Sequence, residues 1–430
     1  MKVFIAEEIP SLNKGEAAIM HGIIKSLEPI DNLKMKLLSF EYAIDNIRYE
    51  RDRLAVIDGI TNLKLMPNFE KHLILRVLGS FWTFIQILVF LILYKTMGNR
   101  VLNIMKSEIW KIFIYTDIIL IGHDSAFSGL FGTIPFFKLY NLLIAKSLNK
   151  KTVLYAGTIE EFENKVQKIV GKFILNKIDL ITLREKNSLE YLKELNLNLE
   201  NVYLTADVAY LLDPAPIGRV NDIFSIENIN RSDIKPLIGI TVTKEMCYNS
   251  FPELESLEMR YNKSLDLMSS IIDYITEKYD AEVIFLPHCI GPTKDLDDRV
   301  VSLDIISKIN NKNNVKVITQ EYTPEELKGL IGQCDMFVGE RLHSVVGAVS
   351  MGIPAIVILH DNNRNGLLEP VLNKEWICRA EEINFEFLKD KIDDMWIKRD
   401  EIRKNLETKM VDMKHNAQFN GKLLQDLGRY

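Results

Sequence analysis

Residues 335–350 have the sequence DMFVGERLHSVVGAVS, which contains one complete strand–loop–helix unit. The apolar residues 336–338 predict a short buried strand, and the small residues 345–350 predict a helix that packs closely against a sheet. A strand followed by a polar loop and a helix is the repeating unit of a parallel sheet. In such a sheet, ligands collect beyond the carboxyl ends of the strands, where Glu340, Arg341 and His343 lie.

The same alternation extends in both directions from this unit. In the first half, short runs of β-branched residues predict strands at 3–6, 36–40, 117–121, 152–155, 179–183 and 202–205. In the second half they predict strands at 237–242, 282–286, 315–318, 336–338 and 355–359. The chain is therefore predicted to be an α/β protein with parallel βαβ construction in both halves.

Four regions are predicted from this pattern. Residues 1–212 form an N-terminal α/β domain with an apolar insert at about 71–112, and residues 213–236, rich in proline, asparagine and aspartate, form a linker. Residues 237–378 form a C-terminal α/β domain. The helical pattern of residues 379–430 predicts a pair of C-terminal helices that pack back on the domains.

Composition excludes several classes of protein. The 430 residues are 47% hydrophobic and 26% charged, unlike a disordered, collagenous or multi-span membrane chain. With a net charge of −6, the chain lacks the overall basic field of a nucleic-acid-binding protein. Four widely spaced cysteines predict buried, reduced thiols, and residues 1–8 do not resemble a signal peptide. We therefore expect a cytoplasmic enzyme that binds no nucleic acid.

One segment departs from the globular pattern. Residues 77–94, from Val77 to Tyr94, carry no charged side chain and are bracketed by cations, among them Arg76 and Lys95. A spanning helix needs about 20 apolar residues, but a single crossing would separate strands 3–6 and 117–121, which should share a sheet. We favour an insert that lies in the membrane surface, with residues 130–148 extending it. A buried or oligomer-contact helix and a true span are the alternatives.

The loop after strand 336–338 is the strongest candidate site. A cation in the first helical turn opposes the positive end of the helix dipole, and an anionic ligand would offset that cost. Arg341 offers a planar fork for a carboxylate or phosphate, and His343 exchanges a proton near neutral pH. The structural alternative is that Arg341 pairs with Glu340 or another carboxylate while His343 is buried.

Three further loops follow predicted strands. Arg184 comes directly after strand 179–183, and His288 after strand 282–286. Asn13 and Gly15 lie between the first strand and its helix, where backbone amides can hold a polar substrate. We interpret the acidic run at Asp295, Asp297 and Asp298 as a solvated helix start, because it lacks the spacing of a calcium loop, and we predict no metal site.

Taken together, these segments resemble the polysaccharide pyruvyl transferase family. The resembling stretches are residues 13–22, 116–122, 182–195, 205–210, 286–288 and 323–354, and the block around Arg341, Leu342 and His343 is the specific one. The resemblance implies a GT-B-like pair of Rossmann-type domains, acceptor-side and donor-side, whose parallel sheets face a central cleft. It also implies transfer of the enolpyruvyl unit of phosphoenolpyruvate to two hydroxyls of one sugar, giving a pyruvate ketal and phosphate.

The resemblance assigns residue roles by motif position. Arg184, Arg341 and His343 are expected to hold phosphoenolpyruvate, with His343 as general acid and the arginines on its anionic groups. The substrate-binding set is Asn13, Gly15, His288, Glu340, Leu342 and Ser344. Phosphoenolpyruvate is a co-substrate and no cofactor is expected. The apolar insert suits a lipid-linked or cell-surface glycan acceptor, with the enzyme peripheral on the inner face of the cell membrane.

Two loops depart from the family pattern and leave the acceptor open. They are residues 122–125, Gly-His-Asp-Ser, and residues 157–161, Gly-Thr-Ile-Glu-Glu, where family members often carry glycine-rich or glycine–proline segments. Two alternatives therefore stand beside the transferase. One is a GT-B glycosyltransferase that uses a nucleotide sugar, and the other is a catalytically lapsed, membrane-associated glycan-binding scaffold.

Overall fold

The computed structural model describes residues 1–49, 53–59, 73–125, 134–162, 164–229, 234–360 and 366–429. The described strands are β1 (Lys2–Ile5), β2 (Lys34–Ser39), β3 (Leu54–Asp58), β4 (Ile118–Ser125), β5 (Lys151–Thr158), β6 (Leu180–Leu183), β7 (Val202–Leu204), β8 (Leu237–Thr241), β9 (Glu282–Phe285), β10 (Val315–Val317), β11 (Met336–Gly339), β12 (Ala355–Leu359) and β13 (Ile377–Arg379). The described α-helices are α1 (Lys14–Leu27), α2 (Tyr42–Tyr49), α3 (Leu73–Met97), α4 (Val101–Ile104), α5 (Glu108–Tyr115), α6 (Ile134–Ser147), α7 (Lys165–Leu175), α8 (Lys186–Glu194), α9 (Ile217–Ile226), α10 (Lys244–Asn249), α11 (Leu257–Tyr279), α12 (Asp298–Lys308), α13 (Pro324–Ile331), α14 (Leu342–Ser350) and α15 (Phe385–Leu427).

The chain divides into two compact units. Unit 1 contains Met1–Ser11, Ile23–Val208 and Asn416–Tyr430, and unit 2 contains Leu12–Gly22 and Ala209–His415. All four cysteines are buried and free of disulfides, as expected.

Unit 1 is built on a seven-stranded parallel sheet in the order β3-β2-β1-β4-β5-β6-β7. All six strands predicted for this half are present. The side chains of β5 are buried from Thr152 onward, as expected of a central parallel strand covered on both faces. The chain reverses its direction of growth between β1 and β4, so these two strands form the topological switch point of the sheet.

Unit 2 is built on a six-stranded parallel sheet in the order β10-β9-β8-β11-β12-β13. Every side chain of β8, β11 and β12 is buried. Because β8 separates β9 from β11, the loops that follow these two strands emerge on either side of it. The α/β prediction with two Rossmann-type halves is confirmed.

Two strands are additional to the predicted set. β3 and β13 lie at the outer edges of their sheets and have 5 and 3 residues. Apolar runs this short cannot be separated from loops by their periodicity.

The predicted linker is partly helical. α9 lies within residues 213–236 and buries Val220, Ile223 and Phe224, which have the i, i+3, i+4 spacing of one helix face. The linker prediction included no helix, because proline and asparagine at both ends obscure this short apolar stripe. Residues 230–233 of the predicted linker lie outside the described residues.

The C-terminal region is one helix and not the predicted pair. α15 runs for 43 residues, and its sequence contains no proline and a single glycine, Gly421, so nothing interrupts its hydrogen bonds. In unit 1, a Cβ on Gly421 would lie 1.9 Å from the carbonyl oxygen of Ser26, so only glycine allows this approach. Asn420 accepts a hydrogen bond from Thr205 Oγ1 and donates one to the Ala206 carbonyl.

The apolar insert packs on unit 1 through one face of α3. Phe90 is buried and stacks on Trp110 with ring centroids 4.2 Å apart. On the other side, Phe81 is 61% exposed, and Leu88 and Ile92 are exposed as well. Among the described residues, the helical stretch Phe81–Ile104 is long and apolar enough to cross a membrane, and 17% of its most apolar window is buried.

Both ends of the insert return to one sheet. β3 before α3 and β4 after it belong to the same seven-stranded sheet, as the sequence argument against a single crossing requires. Residues 71, 72 and 130–133, which belong to the predicted apolar regions, lie outside the described residues.

Phe90→Ala should lower the free energy of unfolding by about 3–5 kcal/mol, because it removes a buried ring and leaves a cavity against Trp110. Leu88→Ala on the exposed face of the same helix should change it by less than about 0.5 kcal/mol. Urea denaturation measures both values. Equal effects of the two substitutions would show that α3 does not pack on unit 1 in this orientation.

Candidate active site

The site in unit 2 begins where β11 ends. A Cβ on Gly339 would lie 2.4 Å from Val345 Cγ2, so glycine lets α14 pack directly over its own strand. Arg341 occupies the N-cap position of α14, and His343 lies in the first turn. The strand–loop–helix unit that the sequence predicts is thus confirmed.

A buried carboxylate holds Arg341. Asp298 Oδ1 accepts from Arg341 Nη2 at 2.6 Å, and Asp298 Oδ2 accepts from Nε at 3.1 Å. Asp298 is 2% exposed, whereas the Arg341 side chain keeps 20% of its surface exposed. Burial alone would lower the pKa of Arg341, but the Asp298 charge raises it above the usual value, so the guanidinium is always charged.

Asp298 also fixes the loop that follows β9. Its Oδ2 accepts from the backbone amides of His288 at 3.1 Å and Cys289 at 2.8 Å. The interpretation of Asp298 as part of a solvated helix start was therefore wrong. The helix start itself is correct: Asp297 caps α12, and the exposed Asp295 pairs with Lys244.

The N-terminal end of α1 meets the same loop within unit 2. The Lys14 amide donates to the His288 carbonyl at 2.7 Å, and Asn13 forms an isolated β-bridge with Cys289. A Cβ on Gly15 would lie 2.8 Å from His343 Nδ1, so glycine permits the helix to approach the imidazole. The structure thus brings Asn13, Gly15, His288 and His343 together within unit 2.

A small cavity of about 20 Å³ lies among these elements, enough for roughly one water molecule. Its polar lining is Lys14, His288, Lys328 and His343, and the remaining lining residues are Ala18, Ala209, Leu212, Pro324, Ile331, Val346 and Gly347. The two lysines of this lining, Lys14 and Lys328, favour a negatively charged ligand.

Burial sets the protonation of two of these groups. Burial lowers the pKa of His288 to about 4, and the charges of Arg341 and Lys14 add to the effect, so His288 is neutral and donates from Nδ1 to the Leu286 carbonyl. It lowers the pKa of Lys328 to about 7, and Lys328 Nζ donates to the Leu212 carbonyl at 2.6 Å.

Lys14 and Lys328 are additional to the predicted site residues. Lys14 is buried and pairs with Glu321 at 2.7 Å. The burial of Lys328 could have been predicted from the sequence. This residue belongs to a stripe with the i, i+3, i+4, i+7 spacing of a buried helix face, formed by Pro324, Leu327, Lys328 and Ile331. A lysine in that stripe is directed into the protein.

Two predicted substrate-binding residues have internal partners. Glu340 is buried and accepts from the Thr243 amide at 2.6 Å. The Ser344 hydroxyl bonds to Thr241 Oγ1 and to the Arg341 carbonyl. Leu342, the first residue of α14, is partly buried. The substrate-binding roles of all these residues stay predictions.

Arg184 belongs to unit 1 and is buried. Its Nη1 donates to Asp207 Oδ2 at 2.6 Å, and its Nε donates to Thr158 Oγ1 at 2.8 Å. Asp207 is buried as well and neutralises the guanidinium. The catalytic roles of Arg184, Arg341 and His343 stay predictions. In the described ranges, no three His, Cys, Asp or Glu side chains converge as a metal site.

Comparison with known proteins gives the family. The model of the polysaccharide pyruvyl transferase family matches residues 13–362. The chain belongs to this family. It is 23% identical over 384 residues to the amylovoran biosynthesis protein AmsJ of Erwinia amylovora, covering 86% of each protein. These findings identify a pyruvyl transferase of polysaccharide biosynthesis.

Solved structures show the fold of this pyruvyl transferase. It resembles UDP-GlcNAc 2-epimerase from Neisseria meningitidis bound to UDP-GlcNAc, with a TM-score of 0.57 and 12% identity over 99% of this chain and 100% of the other. It also resembles Anabaena HepE in complex with UDP-glucose, with a TM-score of 0.54 and 10% identity over 100% of this chain and 99% of the other. The predicted GT-B-type α/β fold is confirmed.

Glu340→Gln should remove a pH dependence of stability. Burial raises the pKa of the Glu340 carboxyl to about 8, so the folded protein binds this proton more tightly than the unfolded chain. The resulting stabilisation is complete at low pH and is lost as the pH rises through about 8. From about pH 5 to 8, the wild-type free energy of unfolding should therefore fall more steeply than that of Glu340→Gln.

Urea denaturation at each pH gives the two profiles. Glu258→Gln, at an exposed position, should follow the wild type. Parallel profiles for wild type and Glu340→Gln would contradict the prediction.

Proposed function

We propose that the protein transfers the enolpyruvyl unit of phosphoenolpyruvate to two hydroxyls of a sugar in a cell-surface or lipid-linked glycan. The products are a cyclic pyruvate ketal and phosphate. The observation that carries the proposal is the convergence of Arg341, His343, Lys14 and His288 within unit 2, in a protein of the pyruvyl transferase family. No cofactor is required in this scheme.

The side chains match the needs of the reaction. The methylene carbon of phosphoenolpyruvate must gain a proton before a hydroxyl oxygen adds to C2, and we assign His343 as the donor. The phosphate must leave with its charge stabilised, which Arg341 can do. Of the two hydroxyl protons lost by the sugar, one balances the proton on the new methyl group and the other leaves with phosphate.

The cavity limits where the donor binds. A volume of about 20 Å³ is too small for a three-carbon phosphate, so we place the charged groups of phosphoenolpyruvate at the partly exposed Arg341 and His343. Arg184 keeps its assignment by motif position alone. Its charge is already neutralised by Asp207, so direct binding would require an exchange of that ion pair.

Phosphoenolpyruvate should raise the melting temperature of the protein. Arg341→Ala and His343→Ala should lower the rate of phosphate release by about 10²–10⁴-fold, the range expected for loss of a general acid or a charge-stabilising group. Circular dichroism should show that both variants remain folded. His415→Ala, at an exposed position, serves as the control and should retain full activity.

The measurement is phosphate release with lipid-linked and free glycan acceptors. Stabilisation by a UDP-sugar but not by phosphoenolpyruvate would overturn the proposal in favour of a nucleotide-sugar glycosyltransferase. Phosphate release that is unaffected by either substitution would remove the assigned roles. A wild-type protein without any chemistry would support the scaffold alternative.

We further propose that the enzyme acts on the cytoplasmic surface of the membrane, through the exposed face of α3. Exposed apolar side chains on this face include Phe81, Trp82, Leu88 and Ile92. Four exposed cations follow at the C-terminal end of the insert: Lys95, Arg100, Lys106 and Lys111. Apolar area beside a group of cations fits an anionic lipid surface.

The opposite face of the same helix is already occupied. Thr83, Ile87 and Phe90 are buried, so α3 cannot be surrounded by lipid while it packs on unit 1. A helix bound on one side and apolar on the other lies in the membrane surface. This arrangement suits an acceptor that is carried on a lipid.

The wild type should sediment with vesicles of phosphatidylcholine and phosphatidylglycerol, and less with phosphatidylcholine alone. Replacing Phe81, Trp82 and Leu88 by Ser should abolish binding. Lys95→Glu with Arg100→Glu should weaken it by more than about tenfold, since each cation near the surface contributes roughly 1 kcal/mol.

Exposed apolar residues of α7 provide a matched control. Replacing Val166, Ile169 and Phe173 by Ser should leave vesicle binding unchanged. Equal loss in both triple variants, or a wild type that remains in the supernatant with both vesicles, would contradict the proposal. A lipid-independent dimer that only the α3 variant loses would assign this face to a second copy of the chain.

A further inference from the structure

A charged cluster lies at the topological switch point of the unit 1 sheet, and none of the roles assigned above uses it. Glu7 follows β1, His123 lies on β4 and Lys138 lies on α6. Lys138 Nζ donates to Glu7 Oε1 at 2.6 Å, and the backbone amide of His123 donates to Glu7 Oε2 at 3.0 Å. His123 Nδ1 also lies 3.2 Å from Glu7 Oε2.

The cluster keeps one carboxylate charged and partly accessible. Lys138 is 4% exposed and His123 is buried, whereas the Glu7 side chain is 24% exposed. Burial would raise the pKa of Glu7, but the Lys138 ammonium and His123 hold it below the usual value. Two positioned donors thus hold an ionised carboxylate at the place where open α/β sheets bind ligands.

The strands at this place are irregular. The pairing of β4 with β5 shifts register between Leu120 and Gly122 and again between Gly122 and Asp124. The neighbouring pairing of β5 with β6 shifts between Leu154 and Gly157, and Ala156 has a positive φ of 47°. Bulges and left-handed non-glycine residues cost energy and concentrate where a strand directs side chains toward a ligand.

A purely structural ion pair would not need this arrangement. The β1 end and α6 are already joined, because Asn141 Nδ2 donates to the Ala6 carbonyl at 2.8 Å and Lys138 Nζ reaches the Ile121 carbonyl at 3.3 Å. Bringing three ionisable groups out of water carries a desolvation cost that hydrophobic side chains of similar volume would avoid. Retaining an accessible carboxylate suits a ligand that donates hydrogen bonds.

We propose that Glu7 binds the glycan acceptor by accepting hydrogen bonds from sugar hydroxyls, with Lys138 and His123 as positioning residues. The ligand class is a pyranose with an unsubstituted diol, and the inference rests on the proposed transfer to a sugar. Hydrogen bonds from hydroxyls to a carboxylate are stronger than those between neutral groups, so one such residue can select a diol. The inference assigns to unit 1 an acceptor site that includes His123, at the end of β4, in the stretch 122–125 that departs from the family pattern.

Glu7→Gln is the direct test, because it keeps the side-chain shape and removes the charge. With methyl glucoside, methyl galactoside and methyl mannoside as acceptors, kcat/KM for the acceptor should fall by about 10–100-fold, mainly through KM. Saturation-transfer NMR without phosphoenolpyruvate should show weaker contact with the same glycosides. The rise in melting temperature caused by phosphoenolpyruvate should remain that of the wild type.

Glu8→Gln is the matched control, since Glu8 is the next residue in the same loop and is also partly buried. It should leave acceptor KM and the NMR contact unchanged. Lys138→Met should mimic Glu7→Gln in acceptor KM, and Lys138→Arg should restore much of the affinity because it returns the positive charge.

Three results would overturn the site. The first is unchanged acceptor KM in Glu7→Gln, and the second is an equal loss of acceptor and phosphoenolpyruvate binding, which indicates damage to the fold. A wild type that is stabilised by phosphoenolpyruvate but neither binds nor modifies any of the three glycosides would also count against it. Absence of any phosphoenolpyruvate effect in the wild type would instead overturn the proposed function.

Discussion

The buried carboxylate of Asp298 is the interaction on which the unit 2 site depends. A charge removed from water must be compensated by several hydrogen bonds, and Asp298 obtains them from Arg341 and from the amides of His288 and Cys289. These groups belong to loops after two strands that are separated by β8. The Asp298 carboxylate therefore holds both loops together. Movement of Arg341 or of the His288 loop would break hydrogen bonds to Asp298. Such a site is held in place before any ligand arrives.

The sequence was sufficient for the parts of the site that follow from strand order. Arg341, His343 and His288 come directly after strands, and parallel strands place their carboxyl ends along one edge, so their convergence was predictable. The role of Asp298 was not, because Asp295, Asp297 and Asp298 have similar sequence surroundings and only packing decides which one is buried. The two arginines also differ in burial: Arg341 remains partly exposed, whereas Arg184 is buried beside Asp207. Local sequence contains no information on such tertiary partners.

The apolar insert shows the same division between local and tertiary information. The absence of charge in residues 77–94 is visible in the sequence, but by itself it does not distinguish a spanning helix, a core helix and a surface helix. Sheet topology argues against a spanning helix, because strands on both sides of the insert belong to one sheet. Side-chain burial argues against a fully buried core helix, because Phe90 packs on Trp110 while Phe81 faces outward. What remains is a helix with one face committed to the protein.

Burial sets the protonation of two side chains that line the unit 2 cavity. Burial lowers the pKa of both Lys328 and His288, and the neighbouring Lys414 lowers that of Lys328 further. An anion placed among these groups would favour their charged forms and raise both pKa values. Proton uptake and anion binding are therefore linked, and by reciprocity the anion must bind more tightly as the pH falls through the pKa of Lys328. Lys328 and His288 thus couple the pH to the binding of any anionic group that lies beside them.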